Sequence, residues 1–401
     1  MIKKLIESIK IFGFKKTFNR INDALTPYRY KKYSVDITTK KNIKNLFVED
    51  KKLIKDSEKT INWVIKFFEK SSGGHRTIMR FVFNLEKLGF ECRLIFIEEL
   101  PLRNKKYIKN KLVREFFPIK ADIYLANESI PPAHYTIATE WETAYWVQNF
   151  SKTTHKCYFV QDFEPWFHPM GSKYIFAEET YRFNFIGITA GDWLKEKLEK
   201  EYGMISTSFK FSYDKELHYP IKKIKQNQKS KKPRILFYAR PSTSRRGFEL
   251  GLLVLAKIKS EIKDAEIVFI GEEKINYEVP FEYENCGRIS HEQLPEIYRS
   301  CDLALIISLT NLSLLPSELM ACGVPVVSND SETVRWFLNS DNSVLGKPTQ
   351  DLLAKSIIEL LSNPSRAAKL INHGLKEVED ITWENEAKKV GEFLSSLSIE
   401  K

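Results

Sequence analysis

The apolar residues of this chain fall into short unbroken runs separated by polar turns, and between the runs lie stretches with helical spacing. INWVIKFF, Ile61 to Phe68, is the first run. Its length and continuity predict a strand buried on both faces, the kind that builds parallel sheets. SSGGHR, Ser71 to Arg76, reads as a loop, and TIMRFVFNLEKLGF as a helix closed by Gly89. ECRLIFIEE follows as a strand, with others at Ala121 to Ala126, Tyr135 to Ala138, Lys156 to Gln161 and Phe185 to Thr189. Helices follow near Thr143, Tyr174 and Gly191. Between about Asp214 and Pro233 the chain turns Lys-, Gln- and Pro-rich, a linker by composition.

A second series then begins. RILFYAR (Arg234 to Arg240), AEIVFIG (Ala265 to Gly271) and DLALIIS (Asp302 to Ser308) are strands. Ser313 to Asp330 reads as a short helix, a turn at Gly323 and Pro325, and a strand through Val324, Val326 and Val327. The last helix runs from Trp383 to Leu397. Alternating strands and helices predict an α/β protein with parallel sheets and helices on both faces. The expected order is a basic extension at 1–55, a Rossmann-like acceptor-side domain at 56–215, a nucleotide-sugar-binding domain at 216–382, and a terminal helix at 383–401. The length of 401 residues suits two such doubly wound domains facing a cleft.

Charge is distributed unevenly. The net charge is +11, and residues 1–55 hold 15 Lys or Arg against 5 Asp or Glu, so nearly all of the excess lies there. Ile2, Leu5, Ile6, Ile9 and Phe12 recur at helical spacing among lysines. Such a helix can lie on an anionic membrane surface through residues 1–22, or pack on the protein's own body. A nucleic-acid arm is disfavoured, because within residues 1–22 Phe and Ile outnumber the Lys and Arg that would meet phosphates. Five scattered cysteines without a CxxC pair argue for a reducing compartment. No apolar run approaches 18 residues and no secretory signal is visible, so the expectation is a cytoplasmic protein, peripheral at most on the inner face of the plasma membrane.

Several clusters carry chemistry. Gly73 and Gly74 follow the first strand and open a helix whose free N–H groups suit a phosphate. The loop lacks both GxGxxG and a P-loop ending. Arg240, Arg245 and Arg246 stand just past the first strand of the second series, before Gly247. Guanidinium groups fork onto phosphate oxygens, and such a cluster either neutralises a departing diphosphate or forms a solvated face. Glu140 lies in ATEWETAYWV, and Asp162, Glu164 and His168 lie among aromatics in FVQDFEPWFHPMGS, just past a strand end. Carboxylates beside aromatic rings suit sugars, or brace a structural hydrogen-bond network. No Asp-x-Asp and no spaced His cluster exists, so neither a metal nor another cofactor is expected.

Glu318, Ala321, Gly323, Pro325, Val326 and Val327 resemble the nucleotide-sugar signature of glycosyltransferase family four. Thr310 stands where that family has its first glutamate, the residue that usually touches the donor sugar. Ser313, Pro316 and Glu318 match the Ser-x-x-Pro-x-Glu version found in WsaF-like bacterial rhamnosyltransferases, which also carry runs similar to Gln161–Pro165 and Thr139–Ala144. The resemblance implies the GT-B architecture and a terminal helix that returns to the first domain. It also implies a retaining, metal-independent transfer of a sugar from a nucleotide diphosphate to a glycan or lipid-linked glycan. It places Glu318 on ribose, Gly73 and Gly74 near the donor phosphates, Gly287 and Ile289 near the nucleobase, and the arginines on the diphosphate. L-rhamnose from dTDP-rhamnose is the donor that the subgroup implies. A UDP- or GDP-sugar, or a non-catalytic glycan-binding protein on the same body, is the alternative.

Overall fold

The computed structural model describes residues 59–66, 68–69, 72–97, 104–125, 127–221 and 232–397. The basic segment read as a membrane-surface helix, residues 1–22, lies outside the described residues.

The first series builds strands β1 (Thr60–Ile65), β2 (Glu91–Phe96), β3 (Asp122–Leu125), β4 (Ala133–Ala138), β5 (Thr153–Val160), β6 (Ile186–Ala190) and β7 (Ser206–Phe209). They form a seven-stranded sheet in the order β3-β2-β1-β4-β5-β6-β7. Its helices are α1 (Gly73–Lys87), α2 (Lys105–Glu115), α3 (Trp141–Asn149), α4 (Ser172–Glu179) and α5 (Asp192–Tyr202). The second series builds β8 (Arg234–Tyr238), β9 (Glu266–Ile270), β10 (Glu284–Asn285), β11 (Leu303–Ile306), β12 (Val326–Asn329) and β13 (Ser343–Gly346), in the order β10-β9-β8-β11-β12-β13. Its helices are α6 (Phe248–Glu261), α7 (Leu294–Ser300), α8 (Leu315–Ala321), α9 (Glu332–Arg335), α10 (Gln350–Leu361), α11 (Pro364–Glu379) and α12 (Trp383–Leu397). β1 pairs in parallel with β2 and β4, and β8 in parallel with β9 and β11.

Burial explains the continuous apolar runs. All six residues of β1 are buried. In the six-stranded sheet, Ile235, Phe237, Ile267, Phe269, Leu303 and Leu305 join one core cluster. Leu236, Val268, Ile270, Ala304 and Ile306 join another. Successive residues of a strand point to opposite faces, so a sheet covered on both sides needs apolar residues at every position. Gly251 on α6 shows how close the helix packs: a Cβ there would lie 2.0 Å from Phe237 Cζ.

The described residues divide into two compact units, one from those before 70 and 78–158, the other from 72–77 and those from 159 on. The turn after β5, with the 159–215 segment that the sequence assigns to the first domain, belongs to the same unit as the six-stranded sheet. The terminal helix α12 packs on β7, the last strand of the seven-stranded sheet. There the Lys210 N–H donates to Glu386 Oε2 at 2.8 Å.

Candidate active site

The chain leaves β8 at Tyr238 and gathers its arginines before α6. Ser244–Arg246 form a 3₁₀ turn, and Gly247 has φ +55°. A Cβ at Gly247 would sit 2.5 Å from Ile307 Cγ2, so both the backbone and the space there require glycine. Arg246 Nη1 donates to Ser308 Oγ and, at 3.0 Å, to the Asn311 carbonyl. The Arg245 guanidinium lies over the Phe167 ring, 3.9 Å from its centroid, and its Nε is 3.7 Å from Asp162 Oδ2. Arg240 donates to Tyr238 Oη at 3.2 Å, and its Nε is 3.9 Å from Glu272 Oε2. The Nε atoms of Arg240 and Arg245 are buried without a hydrogen-bond acceptor. Burial, with Arg246 alongside, pushes the Arg245 pKa down. Crowded cations with unused donors have the chemistry to receive an anion.

The turn after β5 meets this cluster. The sequence places Asp162 opposite the nucleotide signature, free to face sugar; instead it lies in the same unit and is bonded to it. Thr310 Oγ1 donates to Asp162 Oδ2 at 2.7 Å, and the Asn311 N–H donates to Oδ1 at 2.9 Å. The Phe163 N–H also reaches Oδ1, at 2.8 Å. Burial raises the Asp162 carboxyl above its ordinary range, against the pull of Arg246, the Asn311 and Thr310 donors and Arg245. Thr310, in the place of the family's first glutamate, thus holds a carboxylate from another segment.

Asn311 is the residue sequence reasoning missed. It is fully buried. Its Nδ2 donates to the carbonyls of Gln161 at 3.0 Å and Ala190 at 2.7 Å. Its Oδ1 accepts from the Leu312 N–H and from Trp336 Nε1, each at 2.9 Å. Two donors and two acceptor sites are all an Asn side chain offers. Nothing in the local pattern separates it from an ordinary loop Asn, because its partners stand up to 150 residues away.

The other expected residues fall as follows. Gly73 and Gly74 open α1, where the Ser72 Oγ accepts from the His75 N–H at 3.3 Å. Gln161 Nε2 donates to the Gly74 carbonyl at 3.2 Å. Gly287 has φ +69°, and its carbonyl accepts from the Gly271 N–H. The Ile289 side chain is spent on packing against the core. Ser313 Oγ is buried with no hydrogen-bond partner, and Pro316 sits in the first turn of α8. Glu318 is only 4% exposed. Its Oε2 accepts from Tyr298 Oη at 2.9 Å, and its Oε1 faces His218 and His291. Glu164 is buried in a 3₁₀ turn, its N–H donating to Tyr181 Oη at 3.1 Å, and His168 caps that turn half-buried. Glu140 lies in the other unit, where its N–H donates to Thr143 Oγ1 at the start of α3.

Residues 233–358 match the family model of the WsaF C-terminal domain. That stretch contains the three arginines, Gly287, Ile289, Ser313, Pro316 and Glu318. Over 266 residues, 65% of this chain, the sequence is 35% identical to the O-antigen biosynthesis protein RfbC of Myxococcus xanthus. The chain spans 20% of that relative's length. Among solved structures, sucrose-phosphate synthase from Thermosynechococcus elongatus superposes with a TM-score of 0.66 at 14% identity, covering 85% of this chain and 99% of that one. TarM superposes with a TM-score of 0.67 at 8% identity, covering 85% and 100%. Anabaena HepE in complex with UDP and glucose gives 0.64 at 13%, covering 84% and 100%. The fold is the two-sheet α/β arrangement of the GT-B glycosyltransferases, and the chain resembles its WsaF-like branch.

Proposed function

We propose that this chain is a glycosyltransferase that moves a sugar from a nucleoside diphosphate to a surface-glycan acceptor. The observation that carries the reading is the arginine cluster: three guanidinium groups converge before α6, and two of them hold buried, unused Nε donors. A leaving diphosphate develops charge on its oxygens, and preorganised donors stabilise that charge without a metal. We take L-rhamnose from dTDP-rhamnose as the donor, with retention at the transferred carbon, from the resemblance of the signature to WsaF-like rhamnosyltransferases and to glycosyltransferase family four; the match to the WsaF C-terminal domain over this same stretch is in keeping with that resemblance. The O-antigen relative supports an envelope polysaccharide as the acceptor.

Asp162 acts here as a positioning residue. Its carboxylate ties the 308–311 loop to the turn after β5, and that loop pins Arg246 through Ser308 and the Asn311 carbonyl. Trp166 and Phe167, both exposed, offer ring faces to a sugar beside Arg245, and we assign Glu164 and His168 of the same turn to sugar and acceptor. Glu140 is kept as a further candidate on α3.

A thermal-shift panel of dTDP-, UDP- and GDP-sugars, followed by product analysis, tests this reading. Binding at 100 times the dissociation constant adds about 2.7 kcal/mol of stability. Stabilisation by dTDP-rhamnose together with transfer or donor hydrolysis supports it. Preference for a UDP-sugar would correct the donor, and binding without any turnover would favour a glycan-binding protein.

A further inference from the structure

The polar stretch that composition marks as a linker begins at about Asp214, yet its first residues are packed. His218 is 1% exposed. The Leu217 and His218 N–H groups both donate to the Asp214 carbonyl, at 3.0 and 2.9 Å, and close a turn. Arg299 of α7 donates to the Leu217 carbonyl at 3.2 Å, and Ser317 of α8 donates to the Phe211 carbonyl at 2.9 Å. These bonds fasten the segment after β7 to two helices of the six-stranded sheet.

The fastening reaches Glu318 from two sides. Tyr298 Oη donates to Glu318 Oε2 at 2.9 Å, and Tyr298 is fully buried. Burial, then the Glu318 charge, raises the Tyr298 pKa, so the phenol keeps the proton that it donates. On the other side His291 Nε2 bonds to Asp214 Oδ2, which anchors the imidazole. The His218 ring packs beside both, its centroid 5.3 Å from that of His291 and 6.1 Å from that of Tyr298. Glu318 Oε1 lies 3.9 Å from His291 Nδ1 and 4.0 Å from His218 Nε2, beyond hydrogen-bond reach. The carboxylate is therefore held through one oxygen, while the other takes no hydrogen bond from the described residues. A carboxylate only 4% exposed with accepting capacity to spare suits a hydroxyl donor.

We propose that Tyr298 and the Asp214–His291 pair position the Glu318 carboxylate for a ribose hydroxyl of the donor. The proposal rests on the nucleotide-sugar reading above and on the ribose role that the signature implies for Glu318. It adds the residues that hold that carboxylate, and it brings the segment before β8 into the donor site. A carboxylate free to rotate meets a hydroxyl in the right orientation only part of the time. A bond from Tyr298 to one oxygen and an anchored imidazole beside the other remove that freedom before the ligand arrives. Asp214, His291 and Tyr298 act through Glu318 and are positioning residues. Residues 233–358, the stretch that matches the family model, contain His291, Tyr298 and Glu318 but not Asp214. The connecting segment thus supplies a part that the second strand series lacks.

The test uses the full chain and calorimetric titration with UDP and dTDP, each compared with its dideoxy analogue, which has no ribose hydroxyl. The ratio of the two affinities isolates the hydroxyl contact, and a merely structural role leaves that ratio alone. The parent should prefer the hydroxyl-bearing nucleotide by about 10- to 100-fold, and Glu318→Gln should lose most of that preference. Tyr298→Phe and Asp214→Asn should each reduce it by about 3- to 10-fold, with affinity for the dideoxy analogue unchanged. Adding either change to Glu318→Gln should alter nothing further. If Tyr298→Phe does not fold, as judged by circular dichroism, Asp214→Asn carries the test. If Glu318→Gln loses the preference while Tyr298→Phe and Asp214→Asn keep it, the ribose role stands and the positioning proposal is overturned. If the parent shows no preference, or Glu318→Gln retains it, the ribose role of Glu318 fails and the proposal falls with it. The expected ratios without any sugar transfer would refute the transferase activity alone and uphold the positioning.

Discussion

Replacing Asn311 by Ala removes four hydrogen bonds at once and leaves two carbonyls and two N–H groups buried. Each abandoned group costs about 1–3 kcal/mol; with half of them regaining a partner or water, about 4 kcal/mol of stability is lost. The compact unit that holds Asn311 has roughly 240 residues, and at about 2.1 cal/mol/K per residue its melting temperature should fall by about 8 °C. Equilibrium urea unfolding, followed by far-ultraviolet circular dichroism and tryptophan fluorescence, measures the loss directly. Asn311→Asp separates packing from bonding, since it keeps the volume and Oδ1 but turns an oxygen toward the Gln161 and Ala190 carbonyls. It should cost as much as Ala. Because the Asn311 backbone also accepts from Arg246 and donates to Asp162, diphosphate affinity should fall with stability. A loss below about 1 kcal/mol for both variants, with the denaturant slope unchanged, refutes the reasoning, because water would then replace the network at no cost.

Gly251→Ala should destabilise by about 1–3 kcal/mol, since its Cβ would meet Phe237 Cζ at 2.0 Å; a melting scan that matches the parent would contradict that packing. Tyr181 and Tyr298 are held well above the ordinary phenol pKa, mainly by burial, so spectrophotometric titration of the folded protein should leave both protonated when exposed tyrosines have ionised. With folded pKa values above the unfolded ones, their contribution to stability is intact below about pH 10 and is lost as pH rises beyond it, which urea midpoints against pH will show. Arg240→Ala should weaken diphosphate binding less than Arg245→Ala, because the Arg240 guanidinium already donates to Tyr238 Oη at 3.2 Å while that of Arg245 makes no hydrogen bond among the described residues; equal effects would remove that ranking.

The fold was legible because apolar runs report sheets covered on both faces. β1, β8, β9 and β11 stand where the runs place them. β7 escaped notice: Ser206, Thr207 and Ser208 are buried yet polar, and the Ser208 hydroxyl bonds to Asp192, so hydropathy carried no trace of it. The arginine cluster was legible from its spacing and its glycine. The Asp162–Thr310–Asn311 clasp and the His218–His291–Glu318 group were not, because each is assembled from segments tens of residues or more apart. Sequence adjacency set Asp162 among aromatics of a kind that suits sugar, whereas the chain path turns its carboxylate to Thr310.

The most direct test of the account is calorimetric titration of dTDP and UDP against thymidine and uridine, with the parent, Arg245→Ala and Arg246→Ala. Charge-assisted hydrogen bonds of about 1.5–3 kcal/mol each predict that the parent prefers the diphosphate by a large factor. Each arginine variant should lose about 10- to 100-fold of that preference while its nucleoside affinity stays unchanged. A diphosphate preference that survives intact in both variants would contradict the assignment of the arginine cluster to the leaving group.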